Sequence, residues 1–231
     1  MKKVLFIVVS LVFLFSCSKE DKNLMYVKGN IKGLKKGTFY LQKQIDSMIV
    51  SVDSVKVNGT DIFLLTDKIE SPEMYFLTFG NGDKKIPFFG EKDTISITSS
   101  LDRFGYRNKI EGSANQELLD KYYDYIKKFN DQDLMLVKAE FEAKKSANRD
   151  SIMLIAKQKN NLLKRKYLYS INFAINNSDH EVAPYIALSE LNFAQTKWLD
   201  SIYNSLTPKI KESKYGEELK FFIVRIKTNE E

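Results

Sequence analysis

The feature that most constrains this chain is a change of apolar period at Gly112. Between Tyr26 and Ile110, apolar residues alternate over short runs separated by glycine, proline and asparagine. From Asp133 to Asn177 there is no proline or glycine, and apolar positions fall three and four apart. A period of two suits a strand and one of 3.6 a helix. The expected fold is α+β: an antiparallel β-domain over residues 25–112, sandwich or barrel-like, then an all-helical domain over 113–231.

In the first half, Val27 and Ile31 alternate with Lys28, Asn30 and Lys32, and Gly37 opens Phe39 and Leu41. Val50 and Val52 alternate with Ser51 and Asp53, and a phase change before Val55 and Val57 places a bulge near Ser54. Asn58-Gly59 is the strongest hairpin signal, with Ile62 to Leu65 as its return strand. After the break at Ser71-Pro72-Glu73, Met74 to Phe79 reads as a fully buried strand, followed by a turn at Gly80 to Asp83. Ile86 to Phe89 contains Pro87 and is expected as an edge strand or a bulge. Ile95 and Ile97 alternate with Thr94, Ser96 and Thr98, for seven or eight strands in all.

The second half opens on a capping box, in which Ser113 accepts from a first-turn amide and Gln116 reaches back. Leu118, Tyr122, Ile126 and Phe129 form one helical face. Leu134, Phe141, Ile152, Ile155, Leu162, Tyr169 and Phe173 continue a stripe that Lys145, Asn148, Lys159 and Lys166 interrupt. One long helix or a broken pair fits this pattern; a coiled coil needs a cleaner seam. Ser178 to Glu181 is expected to cap the next helix, near Pro184. Ile186 to Phe193 and Trp198 to Leu206 read as short helices, and Thr207-Pro208 as a cap with a first-position proline. Leu219, Phe222, Ile223 and Ile226 mark a last amphipathic helix.

The N-terminus gives an address. Lys2 and Lys3 precede an apolar run from Val4 to Phe15, broken only by Ser10 and closed by Ser16-Cys17. This is the pattern of a secretory signal peptide over 1–16, and the run is shorter than the roughly 20 residues a spanning helix needs. Leu14-Phe15-Ser16-Cys17 resembles a bacterial lipobox, with Phe15 in place of the usual small residue. The resemblance implies cleavage before Cys17 and its lipidation, and Cys17 is the only cysteine. Two or more acyl chains give stable anchoring. Ser18-Lys19-Glu20-Asp21 resembles the surface-export signal of Bacteroidota lipoproteins. A tether over 17–24 then leads to the folded part, its stretch from Ser18 to Leu24 reaching at most ~25 Å.

Losing the two leader lysines takes 36 basic residues to 34 against 30 acidic ones, and the net charge from +6 to +4. The lysines are scattered among acids, without the clustered basic face of a nucleic-acid binder. With Cys17 lipidated no thiol remains, so packing must supply the stability. His180 is the only histidine and stands in a polar stretch with no nucleophile motif beside it. Zinc ligands in sets are absent. Asn130-Asp131-Gln132-Asp133 lacks the glycine and closing glutamate of a calcium loop and reads as an interhelical connection. Gly29 to Gly33 lacks the lysine and following helix of a phosphate loop, and Gly80-Asn81-Gly82 is a turn. Carboxylates are abundant, but nothing singles out a glycosidase pair. Tyr75-Phe76 and Phe88-Phe89 are weighed as core against a glycan or peptide groove, with core favoured. No cofactor is expected.

Several loose motifs occur in one order: Gly29-Asn30-Ile31-Lys32-Gly33-Leu34, Asp53-Ser54-Val55, Asn58-Gly59, Pro87-Phe88-Phe89, Ile110-Glu111-Gly112-Ser113 with Asn115, Asn177 to Ala183, and Ser213-Lys214-Tyr215-Gly216. Together they resemble the domain of unknown function forming the N-terminal half of Bacteroidota thiol:disulfide interchange lipoproteins of the AhpC/TSA–thioredoxin type. In those relatives a thioredoxin-like domain with Cys-x-x-Cys follows. This chain ends at Glu231 without that motif, and disulfide exchange needs a thiolate, so the relatives' activity is not expected here.

The expected protein is a non-catalytic binding or assembly module, lipid-anchored at the outer membrane. It faces outward, or the periplasm in the alternative. Its partners would be membrane lipid through Cys17 and an envelope protein, with no nucleic acid. The rival expectation is an accessory subunit docking in trans onto a thioredoxin-like oxidoreductase.

Overall fold

The structure, a computed structural model, describes residues 23–82 and 84–230. Cys17, Ser18, Lys19, Glu20 and Asp21 lie outside the described residues. Eight strands come first: β1 (Leu24–Lys32), β2 (Lys36–Ile45), β3 (Met48–Asn58), β4 (Ile62–Lys68), β5 (Glu73–Phe79), β6 (Lys84–Gly90), β7 (Asp93–Ser100) and β8 (Lys109–Glu111). Six helices follow: α1 (Ala114–Lys145), α2 (Arg149–Asn176), α3 (Val182–Glu190), α4 (Thr196–Ser205), α5 (Pro208–Lys211) and α6 (Lys214–Glu230). The α+β expectation holds, with a β-rich first part and a helical second part.

The strands form two four-stranded sheets, ordered β4-β1-β7-β8 and β3-β2-β5-β6. Alternation sets the inner faces: Met25, Val27 and Ile31 on β1, Phe39 and Leu41 on β2, Tyr75 and Leu77 on β5, Ile86 and Phe88 on β6 and Ile95 and Ile97 on β7 are all fully buried. These side chains make one core between the sheets. Pro87 lies on β6 at a sheet edge, as expected.

Two expectations about pairing need correction. The β-part is not purely antiparallel, because β1 and β7 run parallel. Parallel neighbours need a long crossover, and the excursion from β2 through β6, mostly in the other sheet, supplies it. Asn58-Gly59 does make a turn, but β3 and β4 do not form a hairpin: β3 pairs with β2, and β4 crosses to β1. Packing overrides the turn signal. Phe63 on β4 faces Gly29 of β1, where any Cβ would stand about 2.1 Å from its ring. From there it stacks on Phe39 at a centroid distance of 4.1 Å. The expected bulge exists two residues early: Leu41 faces Asp53 and Gln42 faces Ser51, leaving Val52 unpaired.

The helical expectations are met with exceptions at the connections. The long stripe is a broken pair: α1 ends at Lys145, and Asn148 caps α2 by accepting from the Ser151 amide at 3.0 Å. Asn130 to Asp133 is not a connection but lies inside α1, exposed to water. No helix breaker stands there, so polar residues simply occupy the solvated face. Ser178 to Glu181 does not cap α3 through a side chain of its own, and Pro184 sits one turn in. Phe193 lies beyond α3, which ends at Glu190. The helices bury a second cluster, with Ala174, Ala187, Leu199, Ile202 and Leu219 fully covered.

Candidate functional site

The helical part packs on the outer face of the β3-β2-β5-β6 sheet, and polar groups that the sequence scatters over 170 residues meet there. Phe89 of β6 is turned away from the sandwich and buried against α1, α3 and α6. Its ring meets Tyr185 edge-on at 5.4 Å and Tyr215 at 6.0 Å, and these two tyrosines lie 5.3 Å apart. Burial raises the pKa of both phenols, and the Tyr215 hydroxyl accepts the Met74 amide at 2.9 Å.

Two hydrogen-bonded groups flank this aromatic contact. The first gathers the N-termini of α1 and α3. Ser113 accepts from the Gln116 amide at 2.9 Å, as the capping box requires. The return half of the box is not made: Gln116 accepts the Phe89 amide at 2.7 Å and donates to Asp120, tying the helix to β6 instead. Glu91 takes the capping role, accepting from the Ser113 hydroxyl at 2.6 Å, the Asn115 amide at 2.6 Å and Asn115 Nδ2 at 2.9 Å. A carboxylate is favoured at a helix N-terminus. Asn115 also donates to Glu181 at 3.1 Å and accepts the Val182 amide at 2.7 Å, which caps α3 from a distance of 67 residues in sequence.

The second group is ionic. Lys43 Nζ lies 2.8 Å from Asp67 and 3.2 Å from both Glu73 and the Tyr75 hydroxyl, which donates to Asp67 at 2.8 Å. Lys214, the first residue of α6, closes on the other oxygen of Glu73 and donates to the Gln44 carbonyl at 2.9 Å. Burial works to lower the Lys43 pKa, but Asp67 and Glu73 outweigh it and hold the ammonium charged. Burial, with the two carboxylates, drives the Tyr75 phenol far up, so it stays a donor. Two ammonium groups and two carboxylates balance, leaving no free base or nucleophile in the group. Among the described residues no cluster of three or more histidine, cysteine or acidic side chains is placed to hold a metal ion.

The sequence motifs distribute unevenly over this arrangement. Asn115, Glu181, Ser213, Lys214 and Tyr215 converge at the junction. His180 stands beside it, partly exposed, with Nδ1 2.8 Å from Asp179. Tyr75, Phe88 and Phe89 are fully buried, as core, while Phe76 keeps part of its surface. Lys43, Asp67, Glu73 and Glu91 escape sequence reasoning, since each is one charge among many. The one available hint was Glu73, placed directly after a proline and at the head of an apolar strand.

Beyond the junction α1 and α2 continue as an antiparallel hairpin, α1 being about 48 Å long at 1.5 Å per residue. Between Phe129 and Leu162 only Ala143 and Ile155 are buried. Glu140 bonds Lys144 at 2.5 Å and Lys159 at 2.9 Å across the pair, which holds its carboxyl down at about 2. Among the described residues no helix is long and apolar enough to cross a membrane.

No curated protein and no solved structure matches the chain. Residues 25–119 match a family described as a domain of unknown function, DUF4369, from β1 through the first turn of α1. That match spans the β-sandwich and the Asn115 cap, and it bears out the domain-of-unknown-function resemblance for that stretch.

Proposed function

We propose that the chain is an outer-membrane lipoprotein held through Cys17, and that it serves as a non-catalytic binding or assembly module through the distal half of the α1–α2 hairpin. The anchoring part is supported by the leader: a basic start, a short apolar run and the sole cysteine at its end. Surface export rests on Ser18, Lys19, Glu20 and Asp21.

One observation carries the binding part. Leu134, Met135, Val137 and Phe141 on the last turns of α1, with Met153 and Leu154 near the start of α2, are 44–73 % exposed. Exposed apolar surface gathered on one element marks an interaction site. Of the strand aromatics, the competing contact surface, Tyr75, Phe88 and Phe89 are spent in the core and only Phe76 keeps part of its surface.

Changing Leu134, Phe141 and Met153 together to serine is expected to leave the circular dichroism spectrum unchanged and to abolish recovery of the partner from detergent-solubilised membranes. Equal recovery with the variant would overturn the reading. Recovery of a thioredoxin-fold protein, lost in the variant, would favour the accessory-subunit alternative. For the anchor, Cys17→Ala should lose palmitate label and leave the membrane fraction; a labelled, membrane-bound variant would contradict it.

A further inference from the structure

One helix carries the net charge of this chain. From Ser151 to its end, α2 holds five cations, Lys157, Lys159, Lys164, Arg165 and Lys166, and no acidic side chain. Those five exceed the +4 of the mature chain, 34 basic residues against 30 acidic ones, so the remainder is slightly acidic. The sequence hides this concentration, because α1 just before it mixes acids and bases. Lys159 is committed to Glu140 at 2.9 Å, and the Arg165 guanidinium lies 5.9 Å from the Phe129 ring centre. Lys157 and Lys164 are exposed and stand in no salt bridge among the described residues.

Lys157, Lys164 and Leu168 follow at i, i+7 and i+11, one face of the helix about 16 Å long at 1.5 Å per residue. That face runs into a groove of about 390 Å³. Lys164, Tyr167, Leu168 and Ile171 line it from α2, with Phe193 and Trp198 opposite. Lys164 is the one charged side chain in this lining, and no acid reaches it. Asp200, two residues beyond Trp198, is bonded to Lys227 at 2.8 Å. A further cation, Lys197, lies 5.1 Å from the Trp198 ring centre. Phe193 is 85 % exposed and Leu168 49 %, so the groove opens to water between two uncovered apolar side chains.

We propose that this face docks on a bilayer surface containing anionic lipid. Phe193 and Leu168 enter the boundary between headgroups and acyl chains, and Lys157, Lys164 and Lys197 lie among the phosphates. The lysines act together against a charged plane rather than as ligands of one ion, so their contact with water is what the interaction requires. Cations interleaved with apolar and aromatic side chains suit the interface, where phosphate stands above hydrocarbon. An acidic protein surface would pair the lysines but would bring carboxylates against Phe193 and the apolar groove. The face is separate from Cys17 and from the hairpin surface around Leu134 and Phe141.

The test is vesicle binding by the mature chain from residue 17 carrying Cys17→Ala, so that no acyl chain on the protein contributes. Trp198, the only tryptophan, lines the groove and reports from within it. Equimolar phosphatidylglycerol–phosphatidylcholine vesicles should bind the protein, shift Trp198 emission to the blue and, when their acyl chains are brominated, quench it. Pure phosphatidylcholine should bind at least about tenfold more weakly. Lys157→Gln with Lys164→Gln should weaken binding to the anionic vesicles about tenfold, and Phe193→Ser by a similar factor, both with unchanged circular dichroism. The Leu134→Ser, Phe141→Ser, Met153→Ser variant should bind within about twofold of the parent. No binding, equal binding to both vesicles, binding that leaves Trp198 emission unmoved, or binding lost in the hairpin variant and kept in the other two would each overturn the proposal. Poly-glutamate that displaces the vesicles and reproduces the blue shift would assign the face to an acidic protein and overturn it as well.

Discussion

Truncating Asn115 to alanine should destabilise the protein more than its size suggests. The side chain is 2 % exposed and bonds Glu91, Glu181 and the Val182 amide. Glu91 keeps its bonds to the Ser113 hydroxyl and the residue-115 amide, so its loss is small. Glu181, 3 % exposed, and the Val182 amide have no water to turn to. A buried polar group left unsatisfied costs about 1–3 kcal/mol. The two together predict a loss of about 3–5 kcal/mol, a large part of the ~5–15 kcal/mol typical of a folded domain. Asn115→Asp should be at least as damaging, since it turns the Nδ2 donor into an oxygen facing two carboxylates. Urea unfolding followed by circular dichroism and by the fluorescence of Trp198, the sole tryptophan, measures both variants. A loss below about 0.5 kcal/mol, the range of ordinary surface changes, or an aspartate variant as stable as the parent, would refute the reasoning.

Gly216→Ala should prevent normal docking of α6, because a Cβ there would stand 1.9 Å from the Ile210 carbonyl oxygen; a lowered melting temperature with an altered near-ultraviolet spectrum is expected. Phe39→Ala removes a fully buried ring stacked on Phe63 and should cost about 3–5 kcal/mol in urea unfolding. Glu140 gives a pH signature at the hairpin. Its carboxyl is held at about 2 against 4.5 for a free one, so its contribution is full above pH 4.5 and is lost as pH falls toward 2. The melting-temperature gap between the parent and Glu140→Gln should therefore close over that interval; a gap independent of pH would contradict the assignment.

The parts of this architecture that depend on local pattern were legible in the sequence. Alternation at Val27 and Ile31, or at Ile95 and Ile97, reports one buried face and needs no knowledge of the partner strand. The break in the long stripe stays open in the sequence, since Asn148 stands there as one polar interruption among several, and only the fold makes it the cap of α2. What the pattern cannot encode is which sheet a strand joins. Asn58-Gly59 specifies a turn, but the pairing of β4 was decided by Phe63 finding space over Gly29 and a ring partner in Phe39. The junction was hidden for a related reason. Gln116 has the identity a capping box requires, yet the Phe89 amide, brought in by β6, claims its side-chain oxygen. Lys43 and Glu73 read as two more surface charges until the fold sets them 3.2 Å apart.

The central functional claim is that the distal hairpin is a contact surface, and site-specific photo-crosslinking in intact cells tests it most directly. A photo-reactive residue at Phe141, 66 % exposed on α1, should yield a discrete higher-mass adduct. The same residue at Tyr106, 79 % exposed in the β-part, should yield none. An adduct at Tyr106 with none at Phe141 would contradict the account.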